Sequence, residues 1–121
     1  MAAALTACNA TWTTATAGTS LSTNKGQYWA WGADTMSMFN TIVPPNSNQF
    51  TWGACRFGCN TCGVASADHS NITNATSNHP GGCNVLMADG HCTFIKSSIT
   101  MQTWWSLGTR ANGEIISSDS Y

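Results

Sequence analysis

The stretch HPGGCNVLMADGH (residues 79–91), followed directly by CTFIK (residues 92–96), contains two short apolar runs joined by an Asp-Gly pair. Asp89-Gly90 accepts the positive φ angles of a type I′ turn, which connects antiparallel strands through two residues. The sequence therefore predicts a β-hairpin over residues 83–96, and this hairpin decides the fold class.

A two-residue turn fixes the pairing within the predicted hairpin. It places Met87 opposite Cys92 and Val85 opposite Phe94, with all four side chains on one face. Because the other face also carries apolar side chains, we expect the hairpin to lie inside a larger sheet. In this register the position opposite Cys92 is four residues along the strand from Cys83, about 13 Å away. A disulfide requires Cα atoms within about 7 Å, so these two cysteines should not pair with each other.

A short helix is predicted after the hairpin, over residues 98–107. Its apolar residues recur at helical spacing, namely Met101, Trp104 and Trp105. Ser97 or Ser98 is expected as the N-cap, and Gly108 ends the segment. The chain is thus expected to have a loop-rich α+β fold, in which an antiparallel sheet packs on this helix and Trp104 lies in the core.

Charged side chains are scarce in this chain. They form 7% of the residues and give a net charge of −1, whereas soluble domains usually have about 25%. The few basic residues are scattered, so no basic stripe is available to neutralise a run of phosphates, and nucleic acid is not an expected partner. No apolar run reaches the roughly 18 residues that span a bilayer.

Cysteines are frequent enough to indicate a small domain held by disulfides in an oxidising compartment. The six are Cys8, Cys55, Cys59, Cys62, Cys83 and Cys92. Their spacing does not fix the pairing. A chain of 121 residues suits a single domain, and residues 1–25 form its poorly defined N-terminal segment. We expect reduction to lower the melting temperature and to loosen the loop-like segment 55–82 first.

Three of the cysteines spell C-x3-C-x2-C within residues 55–62. A similar spacing holds the iron–sulfur cluster of enzymes that use S-adenosylmethionine, but those enzymes need a far larger barrel. Zinc bound by these cysteines and His69 is a second alternative, and free thiols are a third. Disulfides are the simplest interpretation of a Cys-rich loop, so no metal and no cofactor is expected.

His79, Asp89 and His91 have the chemistry of metal ligands. An extended strand at about 3.3 Å per residue separates His79 from Asp89 by roughly 15–20 Å, which is too far for one ion. We therefore favour a structural interpretation. Gly81 and Gly82 let the backbone enter a crowded strand, His79 hydrogen-bonds this entry, and the Asp-Gly pair closes the hairpin.

No catalytic constellation stands out. The chain has no G-x-S-x-G elbow, Asp68-His69 has no marked serine partner, and no spacing singles out a pair of carboxylates. We therefore expect no enzymatic activity. The alternative is a small extracellular hydrolase, whose catalytic groups would come from Asp89, His91, His79, Asp68 and His69.

The aromatic residues favour a related alternative, a carbohydrate-binding module. GQYWAWG (residues 26–32) predicts a short strand with Tyr28 on one face and Trp29 and Trp31 on the other. Trp29, Trp31 and Trp52 are the candidate sugar contacts, although tryptophan also fills cores.

Several segments resemble a large bacterial family of prepilin-like proteins. His79, nine further residues and then Asp89-Gly90 match the family's H-x9-D-G signature, and WAWG, FNTIVPPNS and GEIIS resemble its other segments. The resemblance covers residues 26–121. It implies that a processed N-terminal leader and a long apolar helix precede a globular α+β head, and that this chain is the head alone.

The resemblance also implies a role. We expect an exported head domain, extracellular or in the cell envelope, that serves structure or surface assembly. The implied partners are further copies of the chain or other pilin-like subunits, with a surface polysaccharide as a further candidate. A head without its long helix is expected to expose an apolar patch and to self-associate.

Overall fold

The computed structural model describes residues 1–17, 25–58, 70–111 and 113–121. Within them the chain forms two α-helices and four short β-strands arranged as two antiparallel pairs, which confirms the expected loop-rich α+β class. Two compact units are formed, the first from Met1–Phe39 and Trp52–Thr73, the second from Asn40–Thr51 and Asn74–Tyr121. The single domain expected over residues 1–121 stays a prediction.

The first unit begins with helix α1, Ala2–Thr13. Its Ala-rich sequence favours helix, since alanine has the highest helix propensity. Ala4 and Cys8, one helical turn apart, are its buried residues. Within the N-terminal segment 1–25, which the sequence predicts to be poorly defined, the structure has this helix.

The other regular elements of the first unit are β1, Ala54–Cys55, and β2, Ile72–Thr73, which pair antiparallel. A disulfide joins Cys8 of α1 to Cys55 of β1, with 6.0 Å between the Cα atoms. Beyond the strands, the Asn71 side chain hydrogen-bonds both the N–H and the C=O of Phe57, at 3.0 and 2.9 Å. The segment 55–82, predicted as loop throughout, thus contains strand residues at Cys55, Ile72–Thr73 and Gly82.

The second unit contains β3, Gly82–Leu86, β4, Cys92–Lys96, and helix α2, Met101–Leu107. A short 3₁₀ turn, Ser118–Ser120, lies near the C-terminus. The largest buried side chains are Trp104, 2% exposed, and Ile95. The indole N–H of Trp104 donates to the carbonyl oxygen of Val43 at 2.7 Å, so the polar atom of this core residue is satisfied.

Helix α2 starts later than the sequence suggested. Its N-cap is Thr100, whose Oγ1 accepts from the N–H of Thr103, and not Ser97 or Ser98. The N–H of Ser97 donates instead to the carbonyl of Gly81 at 2.8 Å, which extends the pairing of β3 with β4. A residue still held in the hairpin cannot begin the helix.

The hairpin has a different register from the predicted one. Its loop has three residues, 88–90, because the N–H of Met87 donates to the carbonyl of His91 at 2.9 Å. Gly90 has φ of 91°, the left-handed residue that such loops require at their last position. Leu86 therefore pairs with Cys92, and Val85 with Thr93, one position away from the expected partners.

This shift changes which side chains share a face. Cys83 and Val85 lie on the buried face, while Leu86, Cys92 and Phe94 lie on the exposed one. The hairpin forms a sheet of two strands in the described part of the chain, so the expectation of a larger surrounding sheet is wrong.

None of the described helices is both long and apolar enough to cross a bilayer.

Candidate functional site

The turn of the hairpin brings two predicted site residues together. Asp89 Oδ1 accepts a hydrogen bond from the backbone N–H of His91 at 3.2 Å and lies 2.6 Å from Nδ1 of the same residue. Both side chains are largely exposed. The pKa of the Asp89 carboxyl is lowered, first by the His91 backbone N–H and then by the imidazole. The pair is a solvated hydrogen-bonded turn that holds the aspartate ionised.

The entry to β3 explains the two glycines. Gly81 has φ of 84°, a conformation that side chains disfavour. A Cβ at Gly82 would collide with the carbonyl of Ile95 across the sheet and lie 2.9 Å from the ring of Phe94. Both positions therefore need glycine for steric reasons. His79 is exposed, and its backbone N–H donates to the Ser77 hydroxyl at 3.1 Å.

The exposed face of the hairpin, defined here as the outer face, was not recognised in the sequence as a site. Leu86 is 68% exposed, its cross-strand partner Cys92 is exposed, and Phe94 on the same face is 43% exposed. The other thiol of the hairpin, Cys83, is buried, and burial raises its pKa. Two thiols of opposite accessibility thus lie on opposite faces of one sheet. The three-residue loop, which sets this arrangement, is compatible with the same Asp-Gly signal as a two-residue turn.

The cysteines that the structure describes differ in bonding state. Cys8 is bonded to Cys55, whereas Cys83 and Cys92 are free thiols and were wrongly counted as disulfide candidates. That these two do not pair with each other is confirmed, but the reason is their placement on opposite faces. Cys59 and Cys62 lie outside the described residues.

The disulfide also affects the metal alternatives. A sulfur of Cys55 that is bonded to Cys8 is not a thiolate ligand, so neither zinc nor an iron–sulfur cluster can use the predicted set. Asp68 and His69 lie outside the described residues. Within the described ranges no three His, Cys, Asp or Glu side chains come together as a metal site.

The aromatic segment 26–32 forms a turn and not the predicted strand. The N–H of Trp31 donates to the carbonyl of Tyr28 at 3.0 Å, which closes the turn. The rings of Tyr28 and Trp31, expected on opposite faces, lie 6.0 Å apart at an interplanar angle of 53°. Trp29 is 85% exposed, whereas Trp52 is buried and does not offer its ring to a ligand.

A family model described as "Protein of unknown function (DUF1559)" matches residues 4–102. The match spans most of the chain. This protein belongs to the DUF1559 family. DUF1559 is associated with proteins that undergo prepilin-type N-terminal cleavage, which agrees with the resemblance seen in the sequence at the level of the family. No curated protein and no solved structure matches the chain.

The DUF1559 match includes the elements described above. It contains most of α1, both strand pairs and the start of α2, and with them the Cys8–Cys55 disulfide, the aromatic turn and the hairpin. The family description names no activity. Function must therefore be argued from the geometry of these sites.

Proposed function

We propose that this chain is the globular head of an exported, pilin-like protein, and that it assembles with further copies or with related subunits through the outer face of its hairpin. The observation that carries the proposal is the exposure of Leu86 and Cys92, which pair across the two-stranded sheet, together with Phe94 on the same face. Exposure of apolar side chains to water is unfavourable, and a partner that covers them removes this cost.

The surroundings of the outer face favour contact between like chains. Asn84 and Lys96 lie on the same face as the apolar group, and Lys96 is its only charge among the described strand residues. A surface with so little charge does not strongly repel a second copy of itself. Polar residues around an apolar centre are the usual arrangement of a protein contact surface.

The spacing of His79 and Asp89-Gly90 supports the assignment to pilin-like heads. His79 lies just before β3, and Asp89-Gly90 lies in the loop just after it. The nine intervening residues, 80–88, contain the glycine entry, the whole of β3 and the first residues of the turn region. The spacing therefore reflects the length of a strand, which favours a structural role for these residues over a catalytic one.

Export is supported by the disulfide and by the family. Cys8 and Cys55 form a disulfide. Disulfides persist in oxidising compartments and are rare in the cytosol. The DUF1559 family is associated with prepilin-type cleavage, a processing step of exported proteins. We place the protein outside the cytoplasm, in the envelope or at the cell surface.

Sedimentation velocity over a range of concentrations tests the assembly. The chain should form dimers or larger species, and Leu86→Asp should shift it to monomer because a charge in the contact costs desolvation. Ile115→Asp is the matched control, since Ile115 is fully exposed outside the hairpin. A wild-type chain that stays monomeric at high concentration, or equal effects of both variants, would contradict the proposed contact.

Cross-linking through Cys92 tests the same face in intact cells. Copies that meet through the outer face should be joined by a short bis-maleimide, and Cys92→Ser should abolish the product. The buried thiol of Cys83 serves as an internal control, because it should stay unlabelled while the protein is folded. A chain recovered from the cytoplasmic fraction with Cys8 and Cys55 reduced would refute export.

A further inference from the structure

The aromatic turn, residues 27–31, exposes a second group of apolar side chains. Residues 27–31 line a shallow, open depression of about 490 Å³, and their side chains are Gln27, Tyr28, Trp29, Ala30 and Trp31. We propose that this depression binds a sugar ring of an uncharged polysaccharide, with the aromatic rings as its stacking surface. The proposal is independent of the proposed assembly function.

Hydrogen bonds order the backbone that carries the aromatic rings. The carbonyl of Trp31 accepts hydrogen bonds from the N–H of Ala33 and from the hydroxyl of Ser37, both at 2.8 Å. The hydrogen bond from the N–H of Trp31 to the carbonyl of Tyr28 is a third contact that orders this backbone. A surface whose backbone is already ordered loses less entropy when a ligand binds.

The exposed aromatic area is smaller than a typical protein interface. Trp29 exposes 85% of its surface, and Tyr28 and Trp31 expose 50% and 49%. With about 150–250 Å² available for each aromatic side chain, the three together expose roughly 400 Å². A stable protein interface takes about 800 Å² from each partner, about twice that area. The surface is large enough for one or two sugar rings.

The chemistry of the lining favours an uncharged ligand with hydroxyl groups. None of the five lining residues carries a charge. Lys25, the nearest cation in sequence, lies with its ammonium group beside Gly53, where an added Cβ would be 2.9 Å from Nζ. An anionic polymer would therefore find no counter-charge in the lining.

A sugar ring matches both parts of this surface. Its axial C–H groups carry a small positive charge and complement the negative face of an indole ring. The Gln27 amide, the Tyr28 hydroxyl and the indole N–H groups supply donors and acceptors for the sugar hydroxyls. Trp52, predicted as a third tryptophan contact, is buried, so Tyr28 replaces it in the proposed site.

A glycan array that presents neutral and acidic oligosaccharides tests the proposal on the full chain. Binding should be confined to neutral glycans, and Trp29→Ala should weaken it about tenfold or more, since the exposed indole supplies the main stacking face. Trp105→Ala is the matched control, because Trp105 is a half-exposed tryptophan of α2, and it should bind like the wild type.

Two measurements separate the glycan from other occupants. Phosphatidylcholine vesicles should not bind, and sedimentation of Trp29→Ala should match the wild type. No signal on any neutral glycan, a signal that Trp29→Ala leaves unchanged, or vesicle binding lost in Trp29→Ala would each overturn the proposal. Trp29 is almost wholly exposed, so the variant should fold, and circular dichroism checks this. A negative result for glycan binding would not change the outcome of the sedimentation and cross-linking tests of the outer face.

Discussion

Each of the two compact units of this protein is stabilised internally in a different way. The second unit has a packed core with Trp104 and Ile95 at its most buried positions, and its hairpin and helix follow from local sequence signals. The first unit has a twelve-residue helix and two strands of two residues each, and a covalent bond joins Cys8 of the helix to Cys55 of a strand. Where strand pairing is limited to two residues in each strand, a disulfide takes a larger share of the stability.

Replacing the central tryptophan of the second unit should have the largest effect. Trp104→Ala removes a 2%-exposed ring and leaves the carbonyl of Val43 without its donor. We expect the free energy of unfolding to fall by about 5 kcal/mol, the upper end for such truncations. Urea denaturation measures this loss.

Trp105→Ala is the control for that measurement, since Trp105 neighbours Trp104 on α2 and is half exposed. It should cost about 1 kcal/mol or less. Similar losses for the two variants would mean that the second unit does not depend on its core in the way described.

Reducing the disulfide should have the next largest effect, and it should act on the first unit. The bond closes a loop with a sequence separation of 47 residues, for which chain entropy gives about 4 kcal/mol. We expect hydrogen exchange to accelerate first at the amides of α1 and at Phe57, whose N–H is bonded to Asn71. Amide exchange by mass spectrometry, with and without reductant, measures this order.

Cys8→Ser should reproduce the effect of the reductant, and Cys92→Ser should leave exchange unchanged, because Cys92 is a free thiol. Exchange that accelerates first in the hairpin would reverse the comparison between the two units.

Acidification should produce the smallest effect, confined to the hairpin of the second unit. The pKa of Asp89 is lowered from its ordinary value of 3.8 by the backbone N–H and ring of His91. A carboxyl with a lowered pKa stabilises the fold fully above that ordinary value, and the contribution is lost as the pH falls through the lowered pKa. NMR titration should therefore show the His91 amide shifting below pH 3.8.

Asp89→Asn should remove this titration while the turn persists, because asparagine also suits such loops. Asp119→Asn is the control and should leave the His91 amide unchanged. A titration of the His91 amide that survives Asp89→Asn would show that another group causes it.

Local signals in the sequence were sufficient for part of the second unit. The Asp-Gly pair predicted a hairpin between residues 83 and 96, and the structure has β3 and β4 there. Apolar spacing predicted the helix, although its start at Met101 depended on the hydrogen bond that holds Ser97 in the hairpin. In both cases the element follows from contacts between near neighbours in the chain, while its exact limits depend on a residue farther away.

The candidate sites were less accessible to prediction. Glycine at position 90 satisfies the positive φ of a two-residue turn and of a three-residue loop alike, so the sequence could not decide which face carries Leu86 and Cys92. Alternation along a strand was applied to Trp29 and Trp31, but a turn has no such alternation, and Tyr28 joined Trp31 instead. The outer face and the aromatic turn were therefore visible only in three dimensions.

The sequence by itself determined the α+β class and the scarcity of charge, and its cysteine content predicted an oxidising compartment, because each depends on composition or on interactions within a few residues. The tertiary structure decided that Cys8 pairs with Cys55, that Trp52 is buried while Trp29 is exposed, and that Leu86 faces outward. The reason is distance along the chain. A disulfide, a buried ring or a strand register depends on which remote segments meet, and that is settled by the packing of the folded chain as a whole.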